Sequence, residues 1–172
     1  MKLLTPVLPL LCVTAVAARS VWLGGSSNEQ VALGDELKVP GVNPLFYCSD
    51  ASNDLLVIDH VDLSPNPPEA GQSLTIAAKG TLLEDIEEGA KVHIQVKFGL
   101  ITLINQDTDL CDQVKNVDLE CPLEKGETVL TKTVELPSRI PPGRYRVLAD
   151  VYTKDRVKIT CLTAEVVFHP HL

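Results

Sequence analysis

Residues 91–98 read Lys-Val-His-Ile-Gln-Val-Lys-Phe, and this stretch constrains the fold more tightly than any other in the chain. Val92, Ile94, Val96 and Phe98 alternate with Lys91, His93, Gln95 and Lys97. A period of two puts each set on its own side of a strand, one face buried and the other wet. The same pattern returns in Gln72–Gly80, with Leu74, Ile76 and Ala78 on one face. It returns again in Arg144–Thr153 (Tyr145, Val147, Ala149, Val151) and in Lys158–Phe168 (Leu162, Ala164, Val166, Phe168). Leu55–Leu63 and Thr128–Leu136 also read as strands. Between them stand Ser64-Pro65-Asn66-Pro67-Pro68, Pro137 and Ile140-Pro141-Pro142-Gly143, which cannot continue a ladder. Lys154-Asp155-Arg156 reads as a hairpin tip, and Leu82–Gly89 as a loop, because Gly89 ends any helical turn early. With no helical period between the strands, the expected fold is all-β, an antiparallel sandwich of about seven strands.

The N-terminus is of another kind. Lys2 precedes an almost unbroken apolar run from Leu3 to Ala18, which closes on the small residues Ala15, Ala17 and Ala18. That is the layout of a secretory signal peptide over residues 1–18. The run is short of the roughly 20 residues a membrane-spanning helix needs, and Pro6 and Pro9 oppose a buried helix. Residues 19–44, with Gly24-Gly25-Ser26-Ser27 and then Pro40, Gly41 and Pro44, read as a flexible extension or propeptide. The folded domain is expected over residues 45–172, and the processed protein in a lumen or outside the cell. After residue 18 four cysteines remain: Cys48, Cys111, Cys121 and Cys161. An even number in a secreted chain implies disulfides, and three pairings are open. The spacing resembles neither a zinc site nor a redox C-x-x-C.

Composition narrows the function. The formal charge is −8, and loss of residues 1–18 would remove only Lys2, making the balance more negative. This argues against nucleic acid, which needs a basic footprint. Aromatics are scarce, so the core must be aliphatic. The histidines, His60, His93, His169 and His171, fall in no G-x-S-x-G or H-E-x-x-H context. His60 stands beside Asp59, but neighbours on a regular strand point to opposite faces. The acidic run Glu84-Asp85-Ile86-Glu87-Glu88 lacks the spaced ligands of a calcium loop and reads as solvated. No catalytic residue, metal ligand or cofactor is expected. The apolar stretch Phe98-Gly99-Leu100-Ile101-Thr102-Leu103-Ile104 has two readings: a fully buried strand end, or a greasy lip that lines a pocket and touches a membrane.

The order of landmarks then becomes specific. Phe46-Tyr47-Cys48-Ser49 is followed by Val61-Asp62-Leu63-Ser64-Pro65 and Gly71-Gln72-Ser73. Next come Lys91-Val92-His93, Asp109-Leu110-Cys111 and Glu120-Cys121-Pro122. Last are Pro141-Pro142-Gly143-Arg144-Tyr145 and Thr160-Cys161-Leu162. Over about residues 45–172 the chain resembles the ML lipid-recognition domain family. Lys97–Cys111 and the Gly24-Gly25 extension look closest to its fungal phosphatidylglycerol/phosphatidylinositol transfer branch. The resemblance implies an immunoglobulin-like sandwich whose sheets splay around a lipid, with Cys48 bonded to Cys161 and Cys111 to Cys121. It also implies a carrier, not an enzyme, that moves phospholipid between membranes without chemical change. The chain departs from the animal sterol carriers of the family. It lacks their extra cysteine pair around Ser64–Gly71, and Leu100–Ile104 replaces their proline-rich aromatic loop. A sterol carrier of a vacuolar or lysosomal lumen, and a recognition module that transports nothing, stay open as alternatives.

If the resemblance supplies the cavity, strand phase supplies its wall. The residues expected to face it are Leu74, Ile76, Val92, Ile94, Val96, Phe98, Val147, Val151, Leu162 and Val166, with Ile101 and Leu103 near the rim. The expected partners are a phospholipid or sterol ligand and a transient membrane contact, with the protein acting as a monomer.

Overall fold

The computed structural model describes residues 36–170. The expected signal segment and most of the expected extension lie outside the described residues. Eight strands form two antiparallel sheets: β1 (Leu45–Tyr47), β2 (Leu56–Ser64), β3 (Ser73–Leu82), β4 (Lys91–Phe98), β5 (Ile101–Asp109), β6 (Gly126–Glu135), β7 (Gly143–Tyr152) and β8 (Lys158–Phe168). The larger sheet runs β1-β8-β7-β4-β5 and the smaller β2-β3-β6. A short helix, α1 (Leu110–Val114), and a 3-10 turn over Lys115–Val117 connect β5 to β6, from an edge of one sheet to an edge of the other.

The alternating segments fold as their phase requires. β4 lies between β7 and β5, with Val92 opposite Val151 and Phe98 opposite Tyr145. Val92 and Val151 join Leu55, Leu82, Ile86, Ala90 and Ile159 in a core at the end of the sandwich where β4 begins and β7 ends. Full burial of an aliphatic side chain of this size contributes about 1.5–3 kcal/mol. On the other face of β4, Lys91, His93 and Gln95 bond across the strand to Asp109, Asp107 and Asn105. At the far end of the sheet Phe98, Tyr145 and Phe168 form an aromatic row, with ring centroids 5.0 and 5.5 Å apart. Both disulfides have the implied pairing, Cys48–Cys161 and Cys111–Cys121.

The structure departs from the sequence reading in four places. Among the described residues the strands number eight against about seven expected, and one short helix stands within the otherwise all-β order. Phe98–Ile104 is not a buried strand end: it is the tip of the β4–β5 hairpin and the start of an edge strand, with Leu100, Ile101, Leu103 and Ile104 exposed. An edge strand has a neighbour on one side only, so its apolar residues are not covered.

The third departure is the tail of the expected extension, which is packed. Val39 is fully buried, and the Asn43 side chain donates to the carbonyls of Pro40 and Val61. The amides of Val61 and Leu63 donate to Pro40 and Val42, so this segment covers the open edge of β2. Gly41 permits the approach: its φ is +108°, and a Cβ there would stand 2.2 Å from the Val61 carbonyl oxygen. Fourth, a β-bulge between Ile58 and His60 leaves Asp59 and His60 both exposed, where a regular strand would have turned one of them inward.

Candidate functional site

Between the sheets lies a cavity of about 290 Å³ with an almost wholly apolar wall. One side comes from β2 and β3, through Leu56, Ile58, Val61, Ala78 and Leu82. The opposite side comes from β7 and β8, through Val151, Ile159 and Leu162. Thr128 and Leu130 of β6 contribute a third. The fourth is the connection after β5, with Leu110, Val114, Val117 and Leu119. Asp109 caps α1 by accepting the Cys111 amide at 3.0 Å, and the Cys111–Cys121 disulfide closes the segment into a loop. Ile86, fully buried in the acidic run, exchanges two backbone hydrogen bonds with Leu123 and seals the base. The Thr160 hydroxyl belongs to the wall and is buried without a hydrogen-bond partner.

The expected wall residues divide into three groups. Val151 and Leu162 line the cavity itself. Leu74 and Val92 are buried, Val92 in the core beside it. Ile76, Ile94, Val96, Phe98, Val147 and Val166 are only half-buried. Ile94 of this group packs against the core. These half-buried apolar residues continue the inner face from the cavity toward the aromatic row. Ile101 and Leu103 lie outside the lining, on the hairpin at the opposite end of the strands.

Sequence reasoning missed the β2 wall, because the bulge changes which parity faces inward after Ile58. It also missed the wall after β5, although Leu110, Val114 and Val117 stand four and three residues apart, the spacing of one helical face. A larger depression of about 490 Å³ lies beside Tyr47, but Glu36, Asp50 and Ser52 make its wall mixed and unsuited to hydrocarbon.

Lys79 is the titratable residue of the lining, and its Nζ pairs with Glu127 at 2.8 Å; the histidines and the acids stand elsewhere. His93 Nδ1 lies 2.7 Å from Asp107 Oδ1 on the wet face of β4 and β5, and His60 and His169 are exposed. The acids of the 84–88 run have structural partners: Asp85 accepts the Lys125 amide, and Glu87 pairs with Lys154. Lys91 beside Asp109 holds that carboxyl below its ordinary pKa. Asp54, 3% exposed, has its pKa raised by burial, with Lys158 3.7 Å away pulling in the opposite direction.

The fold and cavity define a class: an all-β sandwich that holds an apolar space between its two sheets. The profile of the ML domain matches residues 42–168, and the chain belongs to that family. Among its relatives, a phosphatidylglycerol/phosphatidylinositol transfer protein of Aspergillus fumigatus is 59% identical over 150 residues, covering 87% of this chain and 85% of the relative. A protein of the same name from Pyricularia oryzae is 54% identical over 169 residues, covering 98% and 93%. One from Candida albicans is 49% identical over 143 residues, covering 83% and 74%.

Proposed function

We propose that the protein binds an anionic glycerophospholipid of the phosphatidylglycerol or phosphatidylinositol type between its sheets and carries it between membranes unchanged. The observation that carries this reading is the apolar cavity between the sheets and the half-buried apolar face that continues it. Each methylene removed from water contributes about 0.8 kcal/mol, which is why a free lipid leaves a bilayer slowly. A wall of Leu, Ile and Val gives the chains a destination without directional bonds. At about 290 Å³ the cavity stands at the lower end of ligand-site volumes, roughly 300–1,000 Å³. A two-chain lipid therefore needs more room than the cavity holds, and the sheets must part along that apolar face to admit it. The polar head stays at the mouth, and no step makes or breaks a covalent bond.

The β4–β5 tip supplies the membrane contact in this reading. Leu100 is fully exposed, and Ile101 and Leu103 stand beside it at 61% and 54%. Lys97, opposite Arg146, and Arg144, whose carbonyl accepts the Gly99 amide, surround the tip with positive charge. Glu165 balances only part of that charge, through ion pairs to Arg144 and Arg146. Apolar side chains ringed by cations suit the surface of an anionic bilayer. The two disulfides suit an oxidising compartment, so we place the activity in the secretory pathway, in a vacuolar lumen or outside the cell.

Two measurements test the reading. Mass spectrometry of lipid extracted from the purified protein should find anionic phospholipid at near-stoichiometric amounts. The protein should also move labelled phosphatidylglycerol between vesicles without altering it. Sterol as the bound lipid, or hydrolysis of the label, would overturn the proposal. Leu100→Asp together with Ile101→Asp should slow transfer while leaving the bound lipid in place.

A further inference from the structure

A slot that served acyl chains alone would need no charge on its inner surface, yet β6 turns a lysine inward. Thr128, Leu130, Lys132 and Val134 are half-buried along one face of β6, while Glu127, Val129, Thr131, Thr133 and Glu135 alternate with them in water. Thr128 and Leu130 line the cavity, and Lys132 is the next residue on that face, opposite Ile76 of β3. Its side chain is 28% exposed, and Nζ reaches Asp118 Oδ2 at 2.8 Å. Asp118 follows the 3-10 turn, with a positive φ of 61° that Asp tolerates better than most residues. Its neighbours Val117 and Leu119 both line the cavity. β6 is the open edge of its sheet, so the Lys132–Asp118 pair joins that edge to the connecting segment, next to the wall residues Leu130, Val117 and Leu119.

We propose that Lys132 is the seat of the lipid phosphate, and that Asp118 occupies it until an anionic head group arrives. The inference rests on the phospholipid-carrier reading above. The two partners of the pair differ in environment. Lys132 has its stem on the apolar face, whereas Asp118 is 76% exposed and returns to water at little cost. A phosphodiester entering at the rim offers Lys132 a charge-assisted bond in exchange. The exchange also loosens the strap between β6 and the connecting segment, so the group that selects the lipid opens the path for its chains. A chain of net charge −8 repels anionic lipid at long range, so preference for such lipids calls for a cation placed at the mouth.

The test uses the full-length protein and donor vesicles of phosphatidylcholine carrying a trace of labelled phosphatidylglycerol, phosphatidylinositol or diacylglycerol. Lys132→Gln should lower transfer of both anionic lipids roughly tenfold, the scale of one lost charge-assisted hydrogen bond. It should leave diacylglycerol, which has no phosphate, within about twofold of the starting protein. Asp118→Asn keeps the cation and removes its competitor, so it should raise the rate for phosphatidylglycerol. Equal loss of all three lipids in Lys132→Gln, with new oligomers, would mean that the inward lysine only protects an open strand edge, and would overturn the proposal. Undiminished anionic transfer in Lys132→Gln would overturn it too. A starting protein that moves no lipid sinks the carrier reading itself, a separate outcome that takes this inference with it. Inorganic phosphate at millimolar concentration should leave phosphatidylglycerol binding unchanged. Competition that vanishes in Lys132→Gln would assign the site to free phosphate instead.

Discussion

Replacing Asn43 by Ala should cost the domain roughly 3 kcal/mol, about 1 kcal/mol for each of three hydrogen bonds. Asn43 is 6% exposed. Its Nδ2 donates to the Val61 carbonyl at 2.6 Å and the Pro40 carbonyl at 3.1 Å, and its Oδ1 accepts the Leu45 amide at 2.8 Å. A fourth contact, to the Val39 carbonyl at 3.3 Å, competes for the same two N–H groups and adds little. Alanine replaces none of these bonds and leaves buried backbone groups to find water. Against a typical total of about 5–15 kcal/mol, the loss is large. Equilibrium urea unfolding, followed by far-ultraviolet circular dichroism, should show a lower midpoint with an unchanged slope. Asn43→Asp should be worse, because a carboxylate would face carbonyl oxygens. Lipid transfer well below the melting temperature should survive in Asn43→Ala, since Val61, the wall residue among these partners, is bonded through its backbone carbonyl and not through the side chain that lines the cavity. A loss under about 0.5 kcal/mol, the scale of an ordinary surface change, would refute the argument that this segment is clamped onto β2.

Three further outcomes follow from the same reasoning. Val96→Asp should abolish lipid uptake while the protein still melts cooperatively, because the half-buried inner face admits water to the new carboxylate; Gln95→Asp on the wet face should change little, and loss of folding in Val96→Asp would place that residue in solid core. Thr160→Val should stabilise the protein by about 1 kcal/mol in thermal unfolding, since it removes a buried hydroxyl without a partner at little change of shape, and destabilisation would mean that the hydroxyl is bonded. Burial raises the Asp54 pKa, so its contribution to stability is complete below the unfolded carboxylate value near 4 and is lost as pH rises through the folded value. Asp54→Asn should therefore gain stability relative to the starting protein as pH rises above the unfolded carboxylate value near 4, and parallel pH profiles for the two would refute the assignment.

The phase of four strands was legible in the sequence because side-chain direction in a regular strand is a local property. Val92 to Phe98, Leu74 to Ala78, Tyr145 to Val151 and Leu162 to Phe168 each repeat every two residues, and Val92, Ala78, Val151 and Leu162 of these sets meet the core or the cavity. The disulfide pairing came from resemblance, since three pairings of four cysteines are equal by spacing. The sandwich was legible for the same local reason, as alternation without helical period leaves few ways to bury one face.

Which of those inward residues border empty space was decided only by tertiary structure. Val92 and Val151 share a face, a register pair and a core, yet Val151 also meets the cavity and Val92 does not. The difference depends on what the opposite sheet and the Leu110–Leu119 connection place in front of each. The bulge after Ile58, the burial of Val39 and Asn43 against β2, and the reach of Lys132 to Asp118 are likewise set by partners distant in the chain. By itself the sequence determined which side of each regular strand is apolar, because the period of two needs no partner. Only the tertiary structure decided where the two apolar sides meet and where they stand apart, because that depends on how sheets, connection and edges pack together.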